Sequence, residues 1–156
     1  MPVGVRETVA ATPLIGAHVP TSGGLAKRGL AYAAEIGAEC VQVFVTNPRG
    51  WAPSKGDPQQ DAAFRAVVTD TLPAYVHASF LINLGTPDAA IAEKSATSLA
   101  HTIERARVIG ARGVVVHTGS AVVKGRYDEA MAQTRELLLP MLDALPDDAP
   151  SLLLEP

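Results

Sequence analysis

Short runs of apolar and β-branched residues alternate with helical patterns along the whole chain, and this alternation constrains the fold more than any other feature. Leu14–Val19, Cys40–Val45, Ala74–Ala78, Val114–His117 and Ser151–Glu155 read as five strands. Between them lie helical patterns over Gly24–Ile36, about Gln59–Asp70, a long segment opened by Thr86 and Pro87, and Tyr127–Leu145. Thr86 is placed to cap the third helix with Pro87 at its first position, and Gly37 stops the first. Ser95, Leu99, Ile103, Ala106 and Gly110 form the inward stripe of the third helix. Pro140 predicts a kink or an early break in the fourth. The order βαβαβαβαβ, with near-continuous apolar strands, calls for a parallel sheet covered by helices. A doubly wound sheet and a (β/α)8 barrel both satisfy it. The absence of Gly-x-Gly-x-x-Gly after the first strand weakens the dinucleotide-binding alternative.

At 156 residues, 47% hydrophobic and 19% charged, the chain suits one domain with a real core. Residues 1–13 are expected to form a flexible N-terminal extension, and 14–156 the N-terminal part of a barrel domain. No apolar run reaches membrane-spanning length, and the start of the chain lacks the apolar core of a signal peptide. The single cysteine, Cys40, sits in an apolar run and is expected to be a buried reduced thiol. A reducing, cytoplasmic location follows as an expectation.

Polar residues gather at the carboxyl ends of the predicted strands: His18, His77, His117 and Glu155. In a parallel α/β barrel those ends converge on one face, where active sites are built. Two histidines and a carboxylate are a zinc ligand set that leaves a position for water. His18 reads as a supporting residue, and His101, inside the third helix, as a solvated helix-face residue. Net charge is -3, yet Arg49, Lys55, Lys124 and Arg126 fall on the loops that follow strands two and four. A basic face on an acidic chain suits an anionic substrate such as a phosphodiester backbone. Trp51, Phe80 and Leu81 lie on loops of the same face, where they either stack on bases or pack onto the rim.

Ile15-Gly16-Ala17-His18-Val19 with Ser22-Gly23-Gly24-Leu25, then Val43-Phe44-Val45-Thr46-Asn47-Pro48-Arg49-Gly50-Trp51, resembles the opening of the endonuclease IV family. His77-Ala78-Ser79-Phe80-Leu81-Ile82-Asn83-Leu84 is similar to its third-strand motif and is the most specific match. His117-Thr118-Gly119-Ser120 and Leu153-Leu154-Glu155 resemble the fourth and fifth. The resemblance implies a (β/α)8 barrel, here five strands and four helices of it. It implies a zinc-dependent hydrolase of base excision repair that cleaves the phosphodiester 5′ to abasic sites in double-stranded DNA. It assigns metal binding to His77, His117 and Glu155, a catalytic role to Glu155, and DNA binding to Asn47, Arg49, Phe80 and Leu81. Three zinc ions are implied for the complete fold, with one full ligand set in this chain.

Phe80 stands where a tyrosine is usual, and Thr118 and Ala121 replace a more common proline and histidine. The chain is expected to be incomplete and inactive alone, since Pro156 falls where the family normally continues; no obligate protein partner and no membrane are expected. The alternatives are a sugar isomerase or epimerase of the same barrel superfamily, or a non-catalytic truncated product.

Overall fold

The computed structural model describes residues 12–68 and 72–156. Most of the expected extension at 1–13, and Asp70 at the expected end of the second helix, lie outside the described residues. The elements run β1 (Gly16–His18), a π-helical segment (Leu25–Leu30) that continues as α1 (Ala31–Glu35), β2 (Cys40–Val43), α2 (Pro58–Val67), β3 (Ala74–His77), α3 (Ala89–Val108), β4 (Gly113–His117), α4 (Tyr127–Asp143) and β5 (Ser151–Glu155). All four strand pairings are parallel. The order β1-β2-β3-β4-β5 rises without a reversal. That is the winding of a (β/α)8 barrel, here part of one, and not of a doubly wound sheet, whose order reverses at a switch point.

The register assigns each strand residue to a face. Val41, Val43, Ala74, Val76, Val114 and Val116 share one face and are buried. They pack with Phe64, Leu99, Ile103 and Ile109 into one core. Each Val, Leu, Ile or Phe among them contributes about 1.5–3 kcal/mol by leaving water, which fixes the helices to this face. The opposite, concave face carries His18, Gln42, Tyr75, His77, Val115, His117, Leu153 and Glu155. Most of these are partly or fully exposed. Cys40 shares that face and is half-buried, not buried as its apolar run implied. The helices cover the opposite face of the sheet, and Cys40 faces away from them.

Several local expectations are corrected. Asp88, not Thr86, caps α3: its carboxylate accepts from the backbone N–H groups of Ala90 and Ile91, while Thr86 Oγ1 accepts from Asp88 N–H. The helix therefore begins two residues later than Pro87. Ile36 is exposed, because α1 ends before it and Gly37 turns the chain at φ 68°. Gly110 lies beyond α3, also at positive φ, while Ser95, Leu99, Ile103 and Ala106 are buried as expected. Pro140 does not end α4, which runs on to Asp143; with only one turn left, few hydrogen bonds depend on the missing N–H. The π-helical start has its own cap from a distance: Gln60 Oε1 on α2 accepts from the N–H groups of Ala26 and Lys27. Among the described residues, no helix is long and apolar enough to cross a membrane.

Candidate metal centre

His77, His117 and Glu155 are the last residues of β3, β4 and β5. His117 and Glu155 are direct register partners, so their side chains leave the sheet side by side. His77 is paired with Val115, two residues short of His117. Strand stagger in a closed or closing barrel offsets this step, because strands tilt against the barrel axis. The ligand atoms of the three residues lie within 4.8 Å of one another. Glu155 Oε2 is 3.5 Å from His77 Nε2 and 3.6 Å from His117 Nε2.

The two distances from Glu155 fit a shared cation. Ligand bonds of about 2.0–2.1 Å in tetrahedral geometry hold donor atoms about 3.3–3.4 Å apart. The tautomer of His77 fits as well. Its Nδ1 lies 2.8 Å from the carbonyl oxygen of Ala78, an atom that can only accept. Nδ1 therefore donates to that carbonyl and Nε2 is the nitrogen turned toward the cluster, the arrangement that orients metal-binding imidazoles. The His77 side chain is 9% exposed, against 46% for His117 and 51% for Glu155. One ligand is thus fixed in the protein wall, and the other two face an open cleft.

Aromatic rings enclose the buried side of the centre. Phe44, which follows β2, has its ring centroid 4.4 Å from that of His18 and 5.4 Å from those of both His77 and Phe80. Phe80 is 5.2 Å from His77 and 5.7 Å from His117. His18 does not join the ligand cluster; its Nδ1 is 2.9 Å from Gln42 Oε1 and its ring rests on Phe44. Reasoning from sequence passed over Phe44 and Gln42. Two-residue alternation was the available signal, since it places 42 and 44 on the same face of one strand.

The loops that carry the remaining predicted residues are tied together. Pro48 O accepts from Ser79 Oγ and from the backbone N–H of Phe80, which joins the β2–α2 loop to the β3–α3 loop. Asn47 is exposed but not free: its Oδ1 accepts from Arg49 N–H and its carbonyl from Gly50 N–H, so it builds the turn that presents Arg49. Arg49, Phe80 and Leu81 are exposed. A cleft of about 710 Å³ is lined by Phe80, Leu81, His117 and Glu155, which puts the two apolar tips and the open ligands in one space. Asn83, also overlooked, bridges two loops through Oδ1, which accepts from Gly85 and Ser120 N–H.

Two expectations change, for Arg126 and His101, and the choice left open for Trp51 resolves to packing. Arg126 is not a free cation of the active face, because its guanidinium donates to Gly85 O and Gln133 Oε1. Trp51 is half-buried and packs against the core. His101 is not solvated: it is half-buried, its Nε2 is shut off from solvent without a hydrogen-bond partner, and it lines a cavity with Trp51. The loop after β2 folds over that side of α3. Arg49, Lys55 and Lys124 remain exposed on the loops that follow β2 and β4.

Residues 30–156 match the family described as xylose isomerase-like TIM barrel. The chain is 57% identical over 143 residues to the probable endonuclease 4 of Streptomyces avermitilis, covering 90% of this chain and 46% of the relative. The chain belongs to the endonuclease IV family of xylose isomerase-like TIM barrels. It spans about half the length of the curated relatives it matches. The crystal structure of endonuclease IV from Thermus thermophilus superimposes with a TM-score of 0.69 at 33% identity, covering 91% of this chain and 51% of the other. A D-tagatose 3-epimerase-like protein superimposes with a TM-score of 0.63 at 14% identity, covering 90% of this chain and 52% of that one, and shares the fold alone.

Proposed function

We propose that this chain carries the first part of the active face of a zinc-dependent endonuclease that hydrolyses the phosphodiester 5′ to abasic sites in double-stranded DNA. The observation that carries the reading is the convergence of His77 Nε2, His117 Nε2 and a Glu155 oxygen at ligand spacing, beside exposed Phe80 and Leu81. Its support is the endonuclease 4 naming of the relatives. When bound, zinc supplies Lewis acidity, neutralising charge on the phosphoryl oxygens and acidifying water.

The chain's own residues hold and orient. His77, locked by its bond to Ala78 O, is the fixed ligand. His117 and Glu155 close the set from the open side, and Glu155 is the one carboxylate of the centre able to accept a proton or bridge to a further cation. Phe80 and Leu81 fill the gap left by an extruded sugar, which costs little to flip because it has no base to unstack. Arg49, presented by the Asn47 turn, pairs with a backbone phosphate. We assign the domain 14–156 to the barrel, with residues 1–13 as an extension.

The experiment is zinc titration by calorimetry on this chain, with labelled abasic duplex and ketose or aldose substrates assayed on the full-length barrel. One weak zinc site lost in His117→Ala, and incision of the abasic duplex abolished in Glu155→Gln, are expected. Epimerisation of a sugar without incision would overturn the reading.

A further inference from the structure

We propose that the cavity between the β2–α2 loop and α3 is a binding site for a neutral nitrogen-heteroaromatic ring of the nucleobase type. It encloses about 320 Å³ and shares no residue with the metal centre. That volume lies in the range of small-molecule sites. Trp51 and Pro53 form its loop side, Ala90, Ser98 and His101 its helix side.

The lining sets the ligand's chemistry. Trp51 offers an aromatic wall on which a flat ring stacks, whatever its pattern of edge groups. The hydroxyls of Thr46 and Ser98 can each donate or accept, so they suit the mixed edge of a heterocycle. Glu93 and Lys94 stand next to each other at the same cavity, so the pair brings no net charge. Neither a phosphate nor a cation is favoured by it. His101 Nε2 is the group that calls for a partner: it is buried and makes no hydrogen bond. An unpaired buried nitrogen carries its desolvation cost uncompensated. Nε2 is sealed from solvent where it stands, so the imidazole must turn toward the cavity for Nε2 to meet a ring N–H or ring nitrogen of the occupant, according to the tautomer. A sugar alone fits less well, because it offers no flat heteroaromatic ring to Trp51 and no ring nitrogen to His101.

The same ring could come from a free nucleoside or from an unpaired base of a strand. Trp51 is two residues from Arg49 on one loop, so either occupant would also stiffen the loop that presents Arg49. The proposal does not rest on the endonuclease reading.

The chain's single tryptophan is the reporter. Trp51 fluorescence is titrated with adenosine, with a short single-stranded oligodeoxyadenylate and with ribose, all with a chelator present so that the metal centre plays no part. A saturable change with adenosine is expected, weakened roughly tenfold in His101→Phe, the size of one lost hydrogen bond. Ala90→Phe, which fills the cavity from an exposed helix position, should weaken it at least as much and guards against a folding defect in the first variant. A tighter response to the oligonucleotide, lost in both variants, supports the same chemistry and assigns the source to a strand. No saturable response to either ligand, an equal response to ribose, or responses unchanged in both variants would overturn the proposal.

Discussion

Replacing Asp61 by alanine is expected to destabilise the chain far more than any change at its surface ion pairs. Asp61, on α2, accepts a 2.7 Å hydrogen bond from Arg105 Nη2 on α3. The two side chains are 9% and 11% exposed. The guanidinium is hemmed in from a third side, because a Cβ on Gly56 would fall on Arg105 Nη2. Arg105 Nε is already buried without a partner. Removing Asp61 therefore leaves a cation where water has little access, a loss of about 3–5 kcal/mol. Against a domain stability of about 5–15 kcal/mol, that is a large share. With a urea m-value of about 2 kcal/mol/M, the midpoint should fall by roughly 1.5–2.5 M. The double variant Asp61→Leu/Arg105→Met should recover most of this, since it removes the cation together with its partner. Arg107→Ala, which breaks contacts to Glu104 and Asp148 at the surface, is the control and should leave the midpoint nearly in place. A fall below about 0.5 M for Asp61→Ala, or a double variant no better than the single, would refute the reasoning. The pair ties α2 to α3 across their buried faces.

Three further outcomes are expected. In the full-length barrel, Arg49→Ala and Leu81→Ala should weaken binding to abasic duplex more than to intact duplex, measured by fluorescence anisotropy; equal losses on both would reduce them to general affinity. Lys124→Ala should lower the slope of log affinity against log salt by about 0.9, as loss of one phosphate contact does. The Glu104 carboxyl is held below its ordinary value of 4.5, first by the hydrogen bond from Arg107. Its contribution is then present above the unfolded value and lost as pH falls through the lowered folded value. The small difference in urea midpoint between the wild type and Glu104→Gln should shrink accordingly below about pH 4.5 and be flat above it.

The sequence by itself determined the order of elements, because each strand and helix is written in local periodicity and punctuated by Gly and Pro. It also placed His77, His117 and Glu155 at strand ends, since a strand end is a local property. Which atoms meet was another matter. His77 pairs with Val115, and only the stagger of the strands brings its ring to His117 and Glu155. No periodicity encodes stagger, which depends on how whole strands tilt together. Likewise, helical position alone made His101 a surface residue. The loop 46–53, distant from it in sequence, covers it. Arg126 looked like a loop cation and became a tie between Gly85 and Gln133. Thr86 looked like a cap, and Asp88 took the role because its carboxylate reaches two free N–H groups. For His77, His101 and Arg126 the local pattern fixed the element, while the partner came from a segment distant in the chain, chosen by packing that only the folded arrangement supplies.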